Sequence, residues 1–313
     1  MRSIIWILLL ALGPSAWAAD DKAAKEEQAP PPAKSALELR VEKFYAEYST
    51  PEKIAARFKE WTVAEPQNPE PYVMAANAYV RCSSQVVISA DPNAGNVATL
   101  VDPKTQKPAG SLGTELDPQT LGKALDILTT ATTKFPQRLD IHLGRMAVAQ
   151  LLKSVPKVLQ AGVDLVKAVA AHPDQIRGGE GETFEEGAKA RAAGEIQSYI
   201  AWFYGQKNDE GDKAGLDLAT EGLKLAPEDT KLLNDVAVYY AYKEKWETAL
   251  EYFLKAAKAD PQDFQVQNNI AMIEVKLGRQ DEARQIWLNI LARYGETSPA
   301  GKQATEYLKN LGK

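Results

Sequence analysis

A chain of 313 residues with a formal charge of −5 is mildly acidic, which argues against a nucleic-acid or anionic-lipid partner. Its single cysteine, Cys82, cannot form an internal disulfide and so excludes a small disulfide-stapled fold. At this length a chain either divides into domains or grows as a stack of similar units.

Residues 1–18 read as a secretory signal. Arg2 supplies the positive end, Ile4 to Leu12 is an apolar run, and Ala16-Trp17-Ala18 is a small-x-small cleavage site. The run is shorter than the roughly 20 residues of a comfortable membrane span, and no cysteine follows it to take a lipid. Cleavage after Ala18 is expected, giving a periplasmic or secreted chain with no later transmembrane span; an uncleaved anchor is the alternative. Losing Arg2 with the signal takes the formal charge from −5 to −6. Residues 19–34 are charged and rich in Pro and Ala, without a large apolar side chain, and read as a disordered tether.

The remaining chain carries an echo. Ala237, Tyr240, Ala249, Phe253 and Pro261 are followed 34 residues on by Ala271, Glu274, Ala283, Trp287 and Gly295. Small residues return on small, and large apolar on large at Phe253 and Trp287. Pro227 lies 34 before Pro261, and Pro173, Pro136 and Pro66 also end helical patterns. Ala124, Leu128 and Ala131 precede Pro136. Ala161, Leu165 and Ala168 precede Pro173, and Phe58 and Trp61 precede Pro66. The match before Pro227, with Gly215, Ala219 and Gly222, is weaker. A fixed period of this length marks stacked supersecondary units.

The block from Thr230 to Asp263 resembles a tetratricopeptide repeat. Leu233, Val236, Ala237 and Tyr240 match that family's first helix, and Trp246, Ala249, Phe253, Ala256 and Pro261 match its second helix and closing turn. The block at 264–297 departs at Glu274, Ile290 and Gly295. The resemblance implies an all-α, right-handed superhelical solenoid of about six helix pairs over 35–297. A final amphipathic helix, 299–311, lies in a capping segment, 298–313. Ala237 and Ala249 are small where two antiparallel helices must approach closely.

Two insertions interrupt the period. The first, about 83–118, contains the β-branched runs 85–89 and 97–101, a turn at Asp102 to Thr105, and a return segment at Ala109 to Leu112. It predicts a β-hairpin, with room for a third strand, that serves either as a flap on the solenoid edge or as a partner-contacting arm. The second, about 174–193, is polar and glycine-rich. There Thr183 with Glu186 predicts a capped helical extension over Glu182 to Arg191.

Catalytic and metal signals are weak. Arg177-Gly-Gly-Glu-Gly lacks the Gly-Lys-Ser/Thr of a phosphate loop, and Asn208 to Asp212 lacks the ligand spacing of a calcium loop. The two histidines, His142 and His172, are not at metal spacing, and Cys82 reads as a buried small hydrophobe. No cofactor, no metal and no enzymatic activity is expected.

In the family that the chain resembles, the first helix of each unit lines a concave groove. The residues left over from the core stripe, and so expected to face a partner, are Asn77, Arg81, Gln150, Lys153, Tyr204, Lys207, Asn234, Tyr242, Asn268, Met272 and Lys276. The expectation is a non-catalytic adaptor holding a protein or peptide in that groove. The alternative is a structural component of an envelope or secretion complex, working through the hairpin and the convex face.

Overall fold

The computed structural model describes residues 43–91, 93, 98–101, 105 and 107–311; the expected signal and tether lie outside them. The chain divides into two compact units, Met1–Ala161 with Gly178–Gly181, and Gly162–Arg177 with Glu182–Lys313. Both are built from antiparallel helix pairs of the tetratricopeptide type. No described helix is long and apolar enough to cross a membrane.

In the first unit a short helical stretch at 43–47 leads to α1 (Pro51–Ala64) and α2 (Glu70–Cys82). Both helices carry Pro in the first turn, where its missing N–H costs nothing. α1 is capped by Thr50. Three strands follow: β1 (Ser84–Ser89), β2 (Ala98–Val101) and β3 (Pro108–Leu116). Then come α3 (Pro118–Lys134) and α4 (Leu139–Leu151), followed by α5 (Val155–Ala171), which runs on into the second unit. Between the helices lie Ile54, Ala76, Leu121, Ala124, Leu128 and Ala131, all buried. Tyr72 links two helix pairs, its ring edge-on to Phe58 at 5.0 Å and to Phe135 at 5.6 Å.

The sheet lies between the two helices of one pair. Its stem is closed by a backbone bond from Asp117 N to Ser83 O (2.8 Å), and the Asp117 side chain then caps α3. All pairs are antiparallel and the strand order is β1-β3-β2. β3 is therefore central, and the two β-branched runs, β1 and β2, pair with it rather than with each other. The return segment expected at Ala109 to Leu112 is longer than expected, Pro108–Leu116, because it must partner two strands.

The second unit takes in the last part of α5 and the turn Pro173–Gln175, and continues through α6 (Ala188–Tyr204) and α7 (Asp209–Gly222). It is completed by α8 (Thr230–Tyr242), α9 (Trp246–Ala259), α10 (Phe264–Lys276), α11 (Gln280–Tyr294) and α12 (Pro299–Leu311). Of the helical extension expected over Glu182 to Arg191, only Ala188 to Arg191 is helical, and α6 starts six residues later than Glu182 would have it. Gly187 precedes it at φ 82°, a backbone conformation that breaks helix continuity. Glu186 reaches forward to Arg191 (3.8 Å) instead of back to Thr183, and Arg191 also holds Glu195 (2.6 Å).

The 34-residue echo is a packing echo. Ala237 and Ala249 are fully buried at the α8–α9 crossing, and Ala271 and Ala283 repeat them at α10–α11. Phe253 and Trp287 fill equivalent places. Asn208, Asp229 and Asp263 cap α7, α8 and α10, each side chain accepting from backbone N–H groups of the first turn, a contribution of about 1 kcal/mol apiece. The weak match around α7 has a steric cause: a Cβ on Gly215 would stand 2.6 Å from the Tyr204 ring. α12 closes the stack with Ala300 and Ala304 buried and Tyr307 stacked on Trp287 at 5.0 Å.

The turn inside each regular pair is also repeated. Lys153, Lys207, Glu244 and Gly278 follow α4, α6, α8 and α10, and all have positive φ, 51°, 53°, 57° and 79°. Past three of them the chain donates back five residues: Ser154 N to Ala149 O, Lys245 N to Tyr240 O, and Arg279 N to Glu274 O. This is the left-handed helix ending that favours glycine, yet only one of the four positions has it.

Candidate functional site

The eleven residues expected to face a partner separate into three groups. Some are engaged locally. Asn77 and Arg81 lie one turn apart on α2 toward residue 45, where the Arg81 guanidinium covers the Tyr45 ring at 4.7 Å. Burial raises the Tyr45 hydroxyl above its ordinary range, and Asn77 and Arg81 partly oppose that rise. Tyr204 donates from its hydroxyl to Asp235 O (3.0 Å), and its ring lies against Gly215; burial and the nearby acids hold its pKa well up. Asn268 is 6% exposed, accepts from Trp287 Nε1 (2.9 Å), and therefore faces the core. An indole N–H buried between α10 and α11 needs an acceptor, and Asn268 supplies it.

A second group marks helix ends. Gln150 is half-buried in the last turn of α4, and its carbonyl accepts from Lys153 N (2.8 Å). Lys153 and Lys207 stand in the left-handed turns after their helices, exposed to solvent.

The third group comes together. On α8, Asn234, Tyr242 and the neighbouring Val238 follow one another at intervals of four, one face of a helix. On α10, Met272 and Lys276 do the same. Asn269 Nδ2 donates to Asn234 Oδ1 (3.0 Å) and joins the two helices. Around that bond Val238 and Met272 are each 40% exposed and Tyr242 is 71% exposed. Lys243 Nζ lies 5.1 Å from the Tyr242 ring, and it also pairs with Asp209 (2.7 Å) and Asp212 (3.4 Å). Lys276 Nζ lies over Trp246 at 5.7 Å. The result is a face with apolar area and amide groups on two first helices.

Sequence reasoning missed Val238, Asn269 and Asp235. The signal for Val238 was available, since it is four residues from both Asn234 and Tyr242. Asp235 is half-buried, and burial pushes its carboxyl up to about 7. Outside this face His142 is buried with Nε2 on Pro136 O (3.1 Å), and His172 is exposed. Cys82 is half-buried and donates to Ser49 O (3.1 Å), and burial raises its thiol. Among the described residues no group of His, Cys, Asp or Glu is placed to hold a metal ion.

The arrangement presents apolar area and amide hydrogen-bonding groups side by side, and among the described residues of this face no nucleophile stands beside a base. The fold that carries it is a tetratricopeptide-type array of helix pairs. Several solved structures are similar. YrrB, a TPR protein described with an unusual peptide-binding site, is 11% identical, with 80% of this chain and 97% of that one covered and a TM-score of 0.41. TTC0263, a thermophilic TPR protein of Thermus thermophilus, is 16% identical, with 62% and 91% covered and a TM-score of 0.35. PilF of Pseudomonas aeruginosa is 17% identical, with 62% and 80% covered and a TM-score of 0.36. No family model and no curated protein matches the sequence. The helix pairing, the left-handed turns and the 34-residue register of this chain define its fold.

Proposed function

We propose that this protein is a non-catalytic adaptor that holds an extended segment of a partner protein on the shared face of α8 and α10. One observation carries the reading: the Asn234–Asn269 bond sits among Val238, Tyr242 and Met272, which the fold leaves exposed. Aromatic and apolar anchors with amides beside them are what a bound peptide uses for area and backbone hydrogen bonds. The signal-like residues 1–18 support a periplasmic or secreted site of action.

The test is in-cell cross-linking, then affinity purification and mass spectrometry of the chain and of the variant Asn234→Ala/Tyr242→Ala/Met272→Ala. All three side chains lie at the surface or half-buried, so the melting temperature is expected to change little. Retention of the partner should fall at least tenfold, and unchanged retention would overturn the proposal.

A second reading has its own observation. On β1, Val86 and Ile88 point to one side and are 69% and 71% exposed. They favour a role for the sheet as a contact arm in a larger assembly. Val86→Ser/Ile88→Ser separates the readings, because it would abolish retention only if the arm is the contact.

A further inference from the structure

Beneath the α8 face lies a polar pair that the proposed adaptor role does not use. Asp235 on α8 and Gln197 on α6 are neighbours, both in the second unit. Asp235 Oδ2 and Gln197 Nε2 are both shut off from solvent, and neither has a hydrogen-bond partner of good geometry. An acceptor and a donor left idle in adjacent helices are uncommon, since each costs folding free energy. Among the described residues no Lys or Arg pairs with Asp235.

The groups around the carboxyl are few. Burial disfavours ionisation most; the Gln197 amide, with Nε2 toward the acid, opposes it; and Asp229, the cap of α8, adds to the effect of burial as a like charge. From α6 the Tyr204 hydroxyl bonds the Asp235 backbone carbonyl rather than its side chain. Asp212 of α7 is near enough to Tyr204 to act on it, and is itself paired with Lys243 (3.4 Å). From α10, Asn269 is bonded to Asn234 and not to Asp235. No donor of good geometry reaches Oδ2 and, among the described residues, no cation pairs with the carboxyl, so the neutral acid is the form that fits. A neutral acid needs an acceptor for its O–H. Turning the Gln197 amide end for end puts Oε1 where Nε2 now stands and supplies one.

We propose that Asp235 and Gln197 form a proton-dependent latch between α6 and α8. With the carboxyl protonated, Oδ2–H donates to Gln197 Oε1 and the latch is closed. When the proton leaves to solvent, the buried carboxylate keeps only a single amide donor, and the contact is destabilised. The helix that carries Val238 and Tyr242 also carries Asp235, so loss of the proton adds negative charge under that face.

The sign follows from linkage. The folded carboxyl keeps its proton up to about pH 7, whereas the unfolded one releases it near pH 4. The folded state therefore binds more protons in that window. Its extra stability is complete below about pH 4, declines as the pH rises, and is lost above about pH 7.

The experiment is urea unfolding of the full chain from pH 4.5 to 8.5, alongside a ¹³C carboxyl titration in which Asp235 is assigned by its absence from Asp235→Asn. The unfolding constant of the unaltered protein should rise by up to tenfold per pH unit toward pH 7. Asp235→Asn should remove that slope and be the more stable protein at pH 8. Gln197→Met, which lacks the acceptor for the proton, should move the Asp235 midpoint down. An Asp235 midpoint near pH 4, an unchanged slope in Asp235→Asn, or a midpoint that stays or rises in Gln197→Met would each overturn the latch. None of these readouts involves a partner, so the adaptor reading stands or falls separately.

Discussion

Two helix pairs of the same design are joined in opposite ways. Between α8 and α9 the connection is the short segment 243–245, closed by a left-handed residue, Glu244, and a backbone bond from Lys245 N to Tyr240 O. Between α2 and α3 the same place holds a three-stranded sheet, yet the helices still pack side by side around Tyr79, Leu121 and Ala124. The sheet is tolerated because its stem is pinned where it leaves the helices, by Asp117 N on Ser83 O and by the Ser84–Leu116 register of β1 and β3. The repeat is thus defined by its helix–helix contacts. The connection needs only to return the chain to the right place, and the free energy of closing a loop changes slowly with its length.

If that is right, damage to a crossing should far exceed damage to a connection. The largest effect is expected for Ala249→Trp. Ala249 is fully buried against α8, and the added rings have no space, so a loss of about 3 kcal/mol or more is expected in chemical denaturation. A loss below about 1 kcal/mol would show that the crossing is looser than the buried alanines indicate. Next is Trp287→Phe, which keeps the ring packing on Tyr307 but removes the donor to Asn268. A buried carbonyl left without its partner should cost about 1–3 kcal/mol. Restoration in the double variant Trp287→Phe/Asn268→Leu would identify the hydrogen bond as the cause.

Smaller effects belong to the connections. Replacing residues 84–116 with a short glycine-containing turn should leave helicity intact and shift the melting temperature by only about 3 °C. Cooperative loss of the first unit would mean that the sheet is part of that unit's core. The smallest effect has the opposite sign. Glu244→Gly relieves a positive-φ backbone that a side chain resists, and it should raise stability by about 0.5–1 kcal/mol. The gain is partly offset by the greater freedom of glycine in the unfolded chain. A clear loss would show that the Glu244 side chain has a role beyond its backbone.

Much of this was legible in the residues. The alanines at 237, 249, 271 and 283 and the large residues at 253 and 287 announced the crossings, because a crossing accepts few shapes. The final helix, 299–311, followed from its apolar spacing. The sheet was legible as β-rich segments, but its order was not. Two β-branched runs are equally good strands, and which one lies central depends on long-range register. Asn234, Tyr242, Met272 and Lys276 were readable as leftovers of the core stripe. Asn268 has the same appearance in sequence, and only the indole of Trp287, nineteen residues away, turned it inward.

By itself, then, the sequence determined the repeat period, the pairing of helices and the presence of a β-rich insertion. These are local or periodic properties, set by residue size, spacing and helix breakers. The tertiary structure decided which strand is central, where α6 begins, which amides face a partner, and that Asp235 lies beside Gln197 away from water. Those outcomes depend on neighbours distant in the chain, whose burial and hydrogen-bond needs are met only when the helices stack.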